Sequence, residues 1–146
     1  MLSTPCEYGI RALIFIAAKS NEENYISINQ VSEELGISKF YLTKILQRLS
    51  DSGILVSHKG PKGGVRLAKV PEDINLYEVI EIFDGKDKLF DGCVMGLPGC
   101  GTRTPCPMHN DWASIRESMR IIFMRKNLKL ILSEVTYKSD ISELLK

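Results

Sequence analysis

Leu42, Ile45, Leu46 and Leu49 recur at i, i+3, i+4 and i+7 along one helical face, bounded by Ser38 before and Asp51-Ser-Gly53 after. That period, with serine as the cap, predicts a helix from Lys39 to about Asp51. Upstream, Ser27-Ile-Asn-Gln30 has the form of a capping box, and Ile28, Val31 and Leu35 share the face of a shorter helix that Gly36 ends. Thr4-Pro5-Cys6-Glu7 fits a further box with proline at the first helical position, and it launches a helix through Ile10, Leu13, Ile14 and Ala17 toward Lys19.

After Gly53 the period changes. Ile54-Leu-Val-Ser57 and Val65-Arg-Leu-Ala68 flank His58-Lys-Gly-Pro-Lys-Gly-Gly64, which predicts two strands joined by a glycine-rich cationic tip. Asn75-Leu-Tyr-Glu78 offers another box, opening a short helix that carries Val79, Ile82 and Phe83. Further on, Trp112, Ile115, Met119 and Ile122 follow 3-4-3 spacing, and Leu128, Ile131 and Val135 prolong the apolar stripe. A helix of that length needs a partner, and a chain of 146 residues has few other elements to cover it, which points to dimerisation.

A short helix, a glycine turn and a longer helix with Lys39, Tyr41, Thr43, Lys44, Gln47 and Arg48 on its outer face form the helix-turn-helix arrangement. A basic hairpin directly after it makes a winged helix. The formal net charge is only +1, but Ser27 to Lys69 holds seven cations against three acids, so a single face gathers the positive charge. Ser38, Lys39, Tyr41, Thr43, Lys44 and Arg48 on the helix, and Lys59, Pro61, Lys62 and Gly63 on the wing, are the candidate DNA-binding residues. The expected fold is mainly α, with a two-stranded β wing and a long C-terminal dimerisation helix. The division is 1–70 for the DNA-binding domain and 71–146 for the remainder.

Between the two helical blocks lies Asp91-Gly-Cys-Val-Met-Gly-Leu-Pro-Gly-Cys-Gly-Thr-Arg-Thr-Pro-Cys-Pro-Met-His109. Its glycines and prolines forbid regular structure, so Cys93, Cys100 and Cys106 sit on a loop that can converge on a metal. Soft thiolates select zinc, copper(I) or an iron-sulfur cluster. Three thiolates leave a tetrahedral zinc or a 2Fe-2S cluster one ligand short, and His109 is the nearest candidate, with a capping role at a helix start as the alternative. Against zinc, the spacing C-x(6)-C-x(5)-C contains no C-x(2)-C knuckle. Cys6 is a fourth thiol, to be read either as a ligand or as a small residue at a helix start.

The opening Met1 to Ala12, the segment Ile37-Ser-Lys-Phe-Tyr-Leu-Thr-Lys-Ile-Leu46 and above all the wing Gly60-Pro-Lys-Gly-Gly64 resemble the Rrf-type (IscR, NsrR, CymR) family of bacterial winged-helix transcription regulators. The cysteine loop resembles that of its iron-sulfur-binding branch, although members holding a cluster commonly leave five residues in both gaps and here the first gap has six. The resemblance implies a homodimer on near-palindromic double-stranded DNA operators, with the helix after the loop forming much of the dimer contact. It also implies a fourth ligand either at His109 or at Glu7 of the other subunit, with Cys6 beside it as a further alternative. The function expected is a DNA-binding regulator controlled by a 2Fe-2S cluster that senses redox state, nitric oxide or iron-sulfur status. The alternatives are a metal-free thiol-disulfide regulator and a structural Cys3His zinc site.

The other broad classes find no support. An enzyme lacks its parts here, since the chain has no phosphate loop, no nucleophile-base constellation and only two histidines, His58 and His109. Met1-Leu-Ser-Thr-Pro lacks a basic n-region, and Ile10 to Ala18 is broken by Arg11 and too short to span a bilayer. A cytoplasmic protein without membrane contact is expected, and there clustered cysteines bind metal or sense redox rather than form structural disulfides.

Overall fold

In the computed structural model, which describes residues 1–19, 24–101, 103–138 and 141–145, α1 (Thr4–Lys19) is the element around which the others gather. Its run Ala12-Leu-Ile-Phe-Ile16 is buried without interruption, so α1 must be covered on several sides at once. On one side lie α2 (Ile28–Leu35) and α3 (Lys39–Asp51), and on another α4 (Leu76–Asp84) and α6 (Leu128–Lys138). Leu13, Ile16, Leu42, Ile45, Leu49, Ile54, Ile74 and Leu128 meet in one core at 2% exposure or less. Among the described residues no helix is long and apolar enough to cross a membrane.

Local chemistry accounts for most helix ends. Ser27 and Gln30 form the reciprocal capping box, and Gly36 closes α2 in the left-handed conformation. Ser38 Oγ accepts from the Tyr41 amide at 3.3 Å, and Asn75 Oδ1 from the Glu78 amide at 2.9 Å. The box expected at Thr4 and Glu7 does not form. Instead Ser3 Oγ accepts from the Cys6 amide at 3.3 Å, the Ser3 amide donates to Asp84 Oδ2 at 2.9 Å, and Thr4 is already helical. A tertiary partner, the acid at the end of α4, thus sets the start one residue early and leaves the exposed Glu7 outside the cap.

The wing is an antiparallel hairpin of β1 (Leu55–His58) and β2 (Gly64–Leu67), in register Leu55 to Leu67 and His58 to Gly64. It is tied to the body by a bridge between Ile26 and Val65, whose amides and carbonyls exchange bonds of 2.8 and 2.9 Å. Gly64 has to be glycine, because a Cβ there would run into the Ile26 backbone.

The C-terminal stripe is not one helix. α5 (His109–Arg125) stops at Lys126, and Asn127 Oδ1 caps α6 by accepting from the Leu130 amide at 2.9 Å. The Lys126 carbonyl accepts from the Leu76 amide and the Leu128 amide donates to the Ile74 carbonyl, which steps the chain sideways against the start of α4. Leu128 and Val135 then enter the core of their own chain, with Ile131 packed against it. The expected continuous stripe is therefore divided: its second half is core, while on α5 Met119 packs against a smaller cluster and Ile115 and Ile122 stay exposed.

A second, smaller cluster joins Cys6 of α1, Ile80 of α4 and Leu89 and Phe90 of the turn Asp87–Asp91. The Phe90 ring lies 4.7 Å from that of Tyr77 and 6.1 Å from that of Phe123 on α5. Above this cluster α1 and α4 cross at Gly9, where the Phe83 ring lies against the bare Cα. Replacing Gly9 by alanine drives a methyl group into that ring, an overpacking that costs about 1–3 kcal/mol, against a helix-propensity gain of at most about 1 kcal/mol. Gly9→Ala is therefore expected to lower the urea midpoint; unchanged or increased stability would show that the crossing is looser than described.

Candidate metal centre and nucleic-acid interface

The loop segments 92–101 and 103–108 contain tight turns that pivot on the cysteines. The Gly96 amide donates to the Cys93 carbonyl at 3.0 Å and the His109 amide to the Cys106 carbonyl at 3.0 Å. These turns bring the Sγ atoms of Cys93, Cys100 and Cys106 within 4.8 Å of one another, with Cys93 and Cys106 at 3.7 Å. All three are partly exposed, and the loop walls a hollow of about 450 Å³ lined by Cys100 and Cys106.

Hydrogen bonding from the Leu97 and Met95 amides, with help from the neighbouring thiols, brings the Cys93 thiol down to about 7. Partial desolvation followed by its sulfur neighbours pushes Cys106 upward. The Cys106 amide donates to Cys100 Sγ at 3.4 Å, and His109 Nδ1 lies 3.3 Å from the same sulfur. His109 is half-buried at the first turn of α5 and caps nothing there. Its ring rests on Gly101, where a Cβ would come within 2.7 Å of the imidazole. The donor set is therefore three converging sulfurs with one ring nitrogen alongside, soft enough for iron-sulfur or zinc.

Cys6 sits in a different environment. It is fully buried, and desolvation reinforced by Asp84 pushes its thiol up to about 12, so it is neutral and packed rather than poised as a ligand. Glu7, one residue on, is exposed at the surface of α1.

Two residues that spacing did not single out hold the loop in place. Arg116 of α5 donates to the Asp91 carbonyl at 2.8 Å and the Gly92 carbonyl at 2.6 Å. Arg120, one turn later, donates to the Phe90 carbonyl at 3.2 Å and pairs with Asp91 Oδ1 at 2.8 Å. Their signal in the sequence is slight: two arginines at i, i+4 on a helix otherwise read for its isoleucines.

In the winged helix, α3, the start of α2 and the wing enclose a groove of about 440 Å³ whose lining includes Asn29, Lys39, Thr43, Gln47, Lys59 and Gly60. Lys39, Thr43, Lys44, Lys59, Pro61 and Lys62 are exposed around it, and Gly63 is tied to Gly60 within the tip. Ser38 is occupied as the cap of α3. The remaining two candidates make contacts within the chain. Tyr41 is half-buried and edge-on to Tyr8 at 6.0 Å, while Arg48 stacks over the Phe83 ring at 4.7 Å and donates to the Ile82 carbonyl. Their positions on the outer arc of α3 were legible, but α1 and α4 pack against that arc and claim them.

The profile of the Rrf2 family, described as an iron-dependent transcriptional regulator, matches residues 2–134. The transcriptional regulator NsrR of Bacillus subtilis is 37% identical over 112 residues, covering 70% of this chain and 73% of that protein. Among solved structures, CymR, the global cysteine regulator of B. subtilis, superposes with a TM-score of 0.78 at 22% identity, over 92% of this chain and 98% of its own. IscR of T. potens gives 0.71 at 23% identity, over 96% and 92%. These two likenesses speak for the fold.

The contrast between the thiols is directly measurable. In metal-free protein, iodoacetamide should modify Cys93 at a rate that rises through pH of about 7, where its thiolate forms, and leave Cys6 unmodified until the chain is unfolded. Peptide mass spectrometry reads both, and rapid labelling of Cys6 in the folded protein would contradict its burial.

Proposed function

The chain belongs to the Rrf2 family of transcriptional regulators, and from that premise we propose that Cys93, Cys100 and Cys106 hold a 2Fe-2S cluster whose state governs operator binding. It is a DNA-binding regulator of transcription and not an enzyme. The observation that carries the cluster reading is the convergence of three Sγ atoms within 4.8 Å on a partly exposed loop. His109, beside Cys100, completes the donor set; Glu7 of a second copy is the alternative fourth ligand, and the buried state of Cys6 disfavours it in that role. When bound, such a cluster supplies a one-electron redox change and a site of attack for oxygen or nitric oxide.

The chain's own contacts offer a route from loop to DNA. Arg116 and Arg120 fix the start of the loop to α5, and Phe90 at that start packs with Ile80 of α4. The carbonyls of Ile82 and Phe83, at the far end of α4, hold Arg48 of the recognition helix. A change in the loop that shifts α4 therefore acts on α3 through Arg48. Only about 1.4 kcal/mol of difference in DNA affinity between two states is needed for a tenfold effect.

The reading includes a cytoplasmic homodimer on a near-palindromic operator, with residues 1–70 gripping DNA and 71–146 sensing and dimerising. α5 buries none of its seventeen residues, and Ile115, Ile122 and Met124 are about half exposed, at 48%, 56% and 50%. A second copy of α5 covers them in this reading. A metal-free thiol switch is the second reading, favoured by the 3.7 Å between Cys93 and Cys106, where a peroxide could take two electrons and release a disulfide and water.

Protein purified without oxygen should be coloured, with iron and acid-labile sulfide in equal amounts. Alanine at Cys93, Cys100 or Cys106 should abolish both, while Cys6→Ala should retain them. Colourless protein with stoichiometric zinc, or with no metal and a mass loss of about 2 Da under peroxide from the two departing thiol hydrogens, would replace the cluster by one of the alternatives.

DNA binding answers to a separate measurement. Lys59→Ala and Lys62→Ala should weaken all duplexes alike and flatten the slope of log K against log salt by about 0.9 per lost phosphate contact. A slope equal to that of the parent protein would remove the wing from the interface.

A further inference from the structure

Phe40 stands in an unusual place for a phenylalanine. It is the second residue of α3 and is 74% exposed, more than any other large apolar residue among those described except Met1. It does not extend the core, since Leu42, Ile45, Leu46 and Leu49 occupy the opposite side of the helix. With Thr43, Lys44 and Gln47 it forms the i, i+3, i+4, i+7 stripe that faces outward.

The neighbours on that stripe are largely committed. Thr43 Oγ1 donates to the Lys39 carbonyl at 2.7 Å, and Gln47 Nε2 donates to Asp51 Oδ1 at 2.7 Å. Lys44 Nζ lies 4.3 Å from the centroid of the Phe40 ring. The ammonium caps one face of the ring and leaves its edge and other face free, which holds an apolar surface outward at the tip of a cationic helix.

We propose that Phe40 is a specificity-determining residue whose ring packs against the C5-methyl group of a thymine in the major groove, steadied there by Lys44. The proposal rests on α3 being the recognition helix. Thymine alone among the DNA bases presents a methyl group in that groove, and an apolar side chain is the group that reads it. The positive charge of Lys39 and Lys44 beside the ring, with Lys59 and Lys62 exposed on the wing, suits a nucleic acid and opposes burial against an apolar protein surface. Phe40 follows Lys39 directly and lies one turn before Thr43, both of which line the groove shared by α3 and the wing.

The test uses the purified 146-residue protein and duplexes selected from a random pool by the protein itself. Each thymine of a selected duplex is replaced singly by deoxyuridine, which removes the methyl group and keeps the base pair. One thymine per half-site should be sensitive, with binding by the parent protein weakened about fourfold, the value of one buried methyl-sized group. Phe40→Ala, its fold verified by circular dichroism, should bind the thymine duplex more weakly and be indifferent to deoxyuridine at that position. Lys62→Ala should bind more weakly overall and keep the parent's sensitivity. Indifference of the parent protein to every replacement, or undiminished sensitivity of Phe40→Ala at the same thymine, overturns the proposal while leaving DNA binding intact. Failure of the parent protein to select any duplex overturns the DNA-binding reading itself, and the proposal with it.

Discussion

A helix with a five-residue buried run has no amphipathic solution, because no single neighbour can cover Ala12-Leu-Ile-Phe-Ile16. α1 must be enclosed, and the elements that enclose it come from both ends of the chain: α2 and α3 from the winged helix, α4 and α6 from beyond the wing. At roughly 25 cal/mol per Å² of apolar surface buried, enclosure of such a helix outweighs any individual hydrogen bond in the molecule. The consequence is mechanical as well as energetic. α3 and α4 share one core around α1, and α4 also enters the smaller cluster at the base of the cysteine loop, so neither helix is free to move without disturbing the packing of α1.

What was legible in the sequence was local. The caps at Ser27, Ser38 and Asn75, the glycine stop at Gly36 and the hairpin around Gly60-Pro-Lys-Gly-Gly64 each depend on a few adjacent residues, and each forms where its pattern lies. The misplaced features all involve a distant partner. Asp84 takes the Ser3 amide and moves the start of α1; the strand-like pairing of Asn75 with Asn127 breaks the C-terminal stripe into α5 and α6. Asn127 is itself a good cap, but a continuous apolar period conceals it unless the return of Leu128 to the core is known. Spacing placed Tyr41 and Arg48 on the outer arc of α3, and only the position of α1 and α4 reveals the contacts that the two side chains make within the chain.

The candidate metal centre divides in the same way. Cysteine identity and a loop of glycine and proline were enough to anticipate convergence, and the three sulfurs do converge. Their unequal chemistry was not legible. It follows from which amides the turns aim at Cys93, from the placing of His109 over Gly101, and from the burial of Cys6 with Ile80, Leu89 and Phe90. Composition makes four cysteines equivalent; the fold makes three of them a cluster and the fourth a packing residue.

α4 joins the base of the cysteine loop to α3. Its buried side holds Phe90, the last residue before the loop region gripped by Arg116 and Arg120, and its C-terminal carbonyls accept from Arg48. A hydrogen bond to a charged group contributes about 1.5–3 kcal/mol when shielded and less when exposed, as Arg48 is. The shift required for a tenfold change in operator affinity is about 1.4 kcal/mol. The two magnitudes are of the same order, so under the proposed mechanism a rearrangement of the Arg48 contact, transmitted by a small tilt of α4, would suffice for the switch without any unfolding of the core around α1.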